Sequence, residues 1–244
     1  MINKTLPIGI IDSGKGGMGV INYLSFTLIN EDFLFYMDHK NFPYGNKSRK
    51  DLIEIGNEAF NNLKEKVKII IIACNTLSCY LDIDINKPVY KINECIMEEI
   101  KKKIKKGKVL FLTTYLTKRS NYFQDECEKI GINANVVSCP RLVTMIENKT
   151  CSYEEVKKIL RLESENKYDA VVLGCTHFYH IENHLKRLFP DAHIISGFNI
   201  LKKKIKKDLR KYKLKNNKKT GSIIKVYKTW KSAYNLGTFI IICI

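Results

Sequence analysis

Short runs of apolar residues recur along the chain, each followed by a stretch in which apolar positions return every three or four residues. Pro7 to Asp12, Phe33 to Asp38, Lys68 to Ala73, Val89 to Ile92, Lys108 to Thr113, Ala134 to Ser138, Ala170 to Gly174 and His193 to Ser196 have the length and β-branched content of strands. Between them lie segments such as Leu52, Ile55, Ala59, Phe60 and Leu63, whose spacing predicts helices buried on one face. This alternation from one end to the other predicts an α/β protein with mainly parallel sheets.

The pattern also repeats. Lys68 to Cys74 followed by Asn75-Thr76 echoes Asp169 to Cys175 followed by Thr176-His177: each is a buried-type strand running into a small residue, then Cys, with Thr within two positions. Two doubly wound halves of similar design follow from the echo. Open parallel sheets bind ligands at the carboxyl ends of their strands, so both cysteines are expected at such edges, facing one another across an interdomain cleft.

Composition narrows the function classes. The 244 residues are enough for one large domain or two modest ones. No stretch approaches the roughly 18 uncharged apolar residues of a membrane span, and Phe239 to Ile244 is too short to be one. The first residues lack the apolar segment of a secretory signal. The eight cysteines are spread over predicted strand ends and helices, not packed into a disulfide framework. A cytoplasmic protein with reduced thiols and no membrane partner is the expectation. The net charge of +17 suggests nucleic acid, but only six of the 42 basic residues are arginine, the type suited to bidentate phosphate and base contacts. The lysine runs 101–106 and 202–207 enclose Ile104 and Ile205 and read as solvated helix faces, so no nucleic-acid partner is expected.

Inverting a carbon centre requires a base on one face and an acid on the other. Two thiols serve this well, since each alternates between thiolate and thiol, and a helix N-terminus next to either would draw its pKa down toward neutrality. Cys74 and Cys175 are therefore the candidate acid/base pair, with Asn75, Thr76, Thr176 and His177 beside them to hold a carboxylate and an amine. A single such cysteine reads more simply as core packing; the matched pair with polar neighbours does not. Cys74, Cys79, Cys175, His177 and His180 are metal-ligand types, but no C-x₂-C pair or closing partner accompanies them, and no metal is expected. The rival signal is Gly14-Lys-Gly16-Gly17-Met-Gly19, which matches G-x-G-x-x-G and is followed by Asp38 at the next strand end, as in a dinucleotide site. That reading makes an NAD-dependent oxidoreductase and leaves both cysteines idle. The same loop can instead offer backbone N–H groups to a substrate carboxylate.

Asp12-Ser-Gly-Lys-Gly-Gly17, Pro43-Tyr-Gly45, Ala73-Cys-Asn-Thr76 and Gly174-Cys-Thr-His177 stand in the order and spacing of the bacterial glutamate racemases, and the chain resembles that family from about Pro7 to Gly197. Thr114-x-x-Thr117-x-x-Ser120, and Ser138-Cys-Pro140 followed by Glu147, are similar to segments of the family's second half. The resemblance implies interconversion of L- and D-glutamate without a cofactor, supplying D-glutamate for peptidoglycan; an aspartate racemase is the near alternative. It implies two pseudo-symmetric domains, residues 1–93 with 207–244 and residues 94–206, with the active site between them. Oligomeric state stays open, a homodimer being compatible. By similarity Cys74 and Cys175 serve the two faces of the α-carbon, Asp12 and His177 tune their proton transfers, and Glu147 assists. Asp12, Ser13, Tyr44, Gly45, Asn75, Thr76, Thr176 and His177 would form the pocket. Plainer readings exist for several: Asp12 as a helix cap, Tyr44-Gly45 as a turn, His177 as a structural histidine. Beyond Leu214 the resemblance lapses, and Ser222 to Ile244 is not aligned with the family's closing strand and helix.

Overall fold

A computed structural model of the chain describes residues 2–227 and 240–243, with side chains through residue 223. The strands are β1 (Ile8–Asp12), β2 (Phe33–Met37), β3 (Ile69–Ile72), β4 (Val89–Lys91), β5 (Lys108–Thr113), β6 (Asn133–Ser138), β7 (Ala170–Gly174), β8 (His193–Ile195), β9 (Ser222–Tyr227) and β10 (Ile240–Cys243). They form two sheets, ordered β10-β9-β2-β1-β3-β4 and β6-β5-β7-β8. All pairings are parallel except that of β9 with β10. β1, β2, β3 and β7 are buried at every position, as strands covered by helices on both faces must be. No helix among the described residues is long and apolar enough to cross a membrane.

Two C-terminal strands were not among the expected elements. β9 lies parallel on β2, extending the first sheet, and β10 closes on it. A buried polar latch sets this register. Lys68, fully buried, pairs with Glu31 at 2.5 Å and donates to the Leu214 carbonyl, while Glu31 accepts from the Asn216 amide. Asp32 accepts from both the amide and hydroxyl of Ser222. Of the tail expected to depart from the family, residues 228–239 and Ile244 lie outside the described residues.

Helices 17–25 and 49–63 cover opposite faces of the first sheet. Helix 198–211 buries Phe198, Leu201, Ile205 and Leu209 at helical spacing, with exposed Lys203, Lys206 and Lys207 between them. Of the first lysine run, Lys101–Lys103 end helix 92–103, whereas Lys105 and Lys106 lie beyond it. One apolar core includes Ile8, Phe35 and Ile71 of the first sheet, Val109, Phe111 and Val172 of the second, and helices 92–103 and 198–211 between them.

The registers decide what meets at the sheet edges. Ile11 is level with Ile72, so Asp12 ends beside Ala73 and Cys74. Thr113 is level with Gly174, so Thr114 ends beside Cys175. Successive strands are added on one side of β1 and then, with β3, on the other, and likewise on the two sides of β5, which puts all four residues at carboxyl-edge switch points, where such sheets bind ligands.

Candidate active site

Two contacts join these edges. Thr176, next to Cys175, donates its hydroxyl to Asp12 Oδ2 at 3.1 Å. Thr76, two residues after Cys74, shares a hydroxyl contact of 2.9 Å with Thr114, and Thr117 completes a triangle with both. Each cysteine therefore has a threonine within two residues that reaches to the other's strand ends. Both are buried, 6% exposed at Cys74 and 7% at Cys175.

Asp12 lies between them. It has no exposed surface and accepts from the Gly14 amide at 3.0 Å and from Thr176. Burial raises its pKa to about 6, against the opposing pull of His177 and its hydrogen bonds. Cys74 differs from expectation. Its pKa is pushed well above the usual thiol value by burial, with the charges of Asp12 and Cys175 acting in the same direction. The amides of Leu77 and Thr76 pull the other way, as a helix start does. They are outweighed because the helix behind Cys74 is only the single turn Asn75–Ser78. A 3₁₀ turn, Thr176–Ile181, likewise follows Cys175 in place of a full helix. The expected lowering of the Cys74 pKa by a helix dipole is thus corrected: loss of solvation wins.

On the Cys175 side runs a polar chain. Cys175 Sγ lies 3.6 Å from His177 Nδ1, and His177 Nε2 lies 2.8 Å from Glu147 Oε2. Burial disfavours the charged ring, but the hydrogen bonds to Cys175 and Glu147 override it and raise the His177 pKa to about 10. Glu147 also sheds solvent, yet His177, Lys15 and His39 hold its pKa below the ordinary carboxylate range.

Several expected pocket residues have their polar groups engaged within the protein. Tyr44, 1% exposed, donates its hydroxyl to Asp38 at 2.9 Å. Asn75 donates to Asn93 Oδ1 at 2.8 Å, and Asn93 returns a bond to the Asn75 carbonyl. Gly45 abuts Thr114 so closely that a Cβ would sit 2.6 Å from it. Ser13 is buried beside Asp12. His180 and His184 lie on the 3₁₀ turn and the helix after it, His180 exposed and His184 half-buried. Among the described residues no three His, Cys, Asp or Glu side chains are grouped to hold a metal.

The glycine loop is filled by protein. A Cβ on Gly14 would meet Phe42 at 2.8 Å, on Gly16 Thr176 Oγ1 at 2.4 Å, and on Gly19 Tyr179 at 2.6 Å. Gly16 and Gly19 seat the first half against the second, and the helix start at Gly17 is covered by the 176–179 segment. A dinucleotide pyrophosphate needs that position open. Asp38, the presumed ribose acid, is 1% exposed and occupied by Tyr44 and Asn41. Lys15 and His39 were missed from sequence, because a lysine inside a glycine loop and a histidine in a turn carry no pattern that marks them as partners of a glutamate over a hundred residues away.

Comparison with known proteins agrees with this geometry. The Clostridium botulinum glutamate racemase is 33% identical over 237 residues, covering 91% of this chain and 92% of that protein. The structure of the Francisella tularensis glutamate racemase in complex with D-glutamate is 27% identical and superposes with a TM-score of 0.81, covering 92% of this chain and 88% of that one. The Picrophilus torridus aspartate racemase shares the fold at a TM-score of 0.60 and 17% identity, covering 86% of this chain and 99% of that one. The family described as Asp/Glu/Hydantoin racemase matches residues 32–203. With that match spanning both cysteines and the strands that carry them, the chain belongs to the Asp/Glu/Hydantoin racemase family.

Proposed function

We propose that this protein interconverts L- and D-glutamate, with Cys74 and Cys175 exchanging protons with opposite faces of the α-carbon. The observation that carries the proposal is that the strand ends bearing two buried cysteines, one in each sheet, are joined by the Asp12–Thr176 contact, with Cys74 inside the field of Cys175. One thiolate removes the α-proton from its face while the other thiol delivers a proton to the opposite face, and the roles reverse in the return direction. Asp12, with a pKa of about 6, is ionised near neutral pH, and its charge favours the protonated Cys74 thiol that delivers a proton to its face. His177 holds the Cys175 sulfur from Nδ1, and Glu147 holds the His177 ring from Nε2. Ser13 supplies a hydroxyl for the substrate, and Thr76 and Thr176, while bonded to Thr114 and Asp12, each keep an oxygen lone pair for its amine. Tyr44, Gly45 and Asn75 shape the wall, their polar groups being spent on the scaffold.

Glutamate is preferred over aspartate because the relatives near 30% identity are glutamate racemases, whereas the aspartate racemase shares the fold alone. In this reading the chain divides into residues 1–93 with 207–244 and residues 94–206, and it works in the cytoplasm, where its cysteines, seven of them free among the described residues, stay reduced.

Circular dichroism of L- or D-glutamate incubated with the purified protein should decay to zero from either side. Cys74→Ser and Cys175→Ser should each lower kcat/KM by about 10²- to 10⁴-fold, the usual value of a positioned acid or base. Full exchange in either variant would remove the two-thiol mechanism.

A further inference from the structure

Glu147 ends helix 140–147 in the second half of the chain, and its two carboxylate oxygens have different company. Oε2 meets His177. Oε1 is closed off from solvent and accepts no hydrogen bond. It faces two groups from the first half: Lys15 Nζ at 3.6 Å and His39 Nε2 at 3.6 Å. Lys15 also donates to the Glu147 carbonyl at 3.3 Å. A sealed carboxylate oxygen is costly unless charges compensate it, so this convergence is specific in effect.

The two groups are themselves placed. Lys15 stands between Gly14 and Gly16, which pack against Phe42 and against Thr176 and His177. The His39 ring stacks on Phe42 at 5.9 Å, and Phe42 leans on His177 at 5.5 Å. We propose that Lys15 and His39 are positioning residues that clamp the Glu147 carboxylate from the opposite half of the chain and thereby keep the His177 ring aimed at Cys175. The role of the clamp in turnover rests on the racemase reading; the clamp itself does not.

The charges around the pair are accounted for on every side. Lys15, His39 and His177 face Glu147; Asp12 and Cys175 face His177. His180 and Lys149 line, with Lys15, a cleft of about 270 Å³ behind them. Lys15 is 54% exposed, so its direct field at His177 is screened by water and its effect comes through the position of Glu147. Loss of the clamp lets the carboxylate leave the ring, and His177 then gives up its proton more readily.

The test follows the His177 ring by NMR titration of the full chain labelled in histidine, alongside kcat/KM across pH. In Lys15→Met/His39→Gln the His177 midpoint should fall by about one pH unit, a tenfold change in proton affinity. The alkaline limb of kcat/KM should move down with it, and Lys15→Arg should restore both. The single variant His39→Gln should give a smaller shift of the same sign. An unmoved or raised midpoint, or a kcat/KM lowered by one factor at every pH, would overturn the clamp. Because the titration reads the ring without turnover, a wild-type chain with the raised midpoint but no glutamate exchange would overturn the racemase reading and leave the clamp standing.

Discussion

Asp12 and His177 show how burial and partnership compete at single residues. Asp12 has no exposed surface and its pKa is raised to about 6, so its ionised form costs the folded protein stability above that pH. His177 runs the other way. Its folded pKa of about 10 lies above the ordinary value of about 6.5. The stability it contributes is therefore complete below about pH 6.5 and is lost as pH rises through about 10. The melting temperature of the wild type should fall more steeply across that interval than that of His177→Gln; parallel curves would mean that the ring carries no stabilising charge. The sequence shows Asp12 at the head of the glycine motif and His177 two residues after Cys175, yet it does not show these pKa values, which depend on Thr176, Glu147 and the loss of water around them.

At the scale of elements, the loop that resembles a phosphate cradle serves as a joint. Gly16 has an ordinary helical backbone, so it is required for space and not for conformation. A Cβ there would lie 2.4 Å from Thr176 Oγ1 and 2.8 Å from the His177 amide nitrogen, and a backbone neighbour cannot yield cheaply. Gly16→Ala should cost about 1–3 kcal/mol by overpacking and, by shifting Cys175 and His177 relative to Asp12, lower kcat/KM by about 10²-fold. Thermal melts and racemisation rates on the same preparation would check both; an alanine variant with unchanged turnover would show that the joint is not part of the active geometry. The loop's position after β1 was legible from the chain. Its occupant was not, because Thr176 lies 160 positions away from Gly16 in sequence.

For the whole molecule, two sheets do not mean two independent units. Residues of both sheets and the helices 92–103 and 198–211 form one continuous apolar core, and hydroxyl contacts tie Thr76 to Thr114 and Thr117 at the site. Calorimetry should accordingly show one unfolding transition, with a ratio of calorimetric to van't Hoff enthalpy of about one. Two resolved transitions would mean that the shared core does not couple the halves.

The pattern of apolar runs determined eight of the strands to within a residue or two at each end, most directly β1, β2, β3 and β7, because strands covered on both faces must be apolar throughout. It also determined that two cysteines would stand at strand ends, since the echo between residues 68–76 and 169–177 is local. The tertiary structure alone decided the pairing of β9 on β2, which depends on a buried Lys68–Glu31 latch that composition does not announce. It alone also decided which polar groups, such as those of Tyr44 and Asn75, are spent on the scaffold, and which charges meet Glu147. Hydrogen bonds and ion pairs of this kind join segments far apart in the chain, and their strength depends on a solvent exclusion that exists only once the sheets have closed on one another.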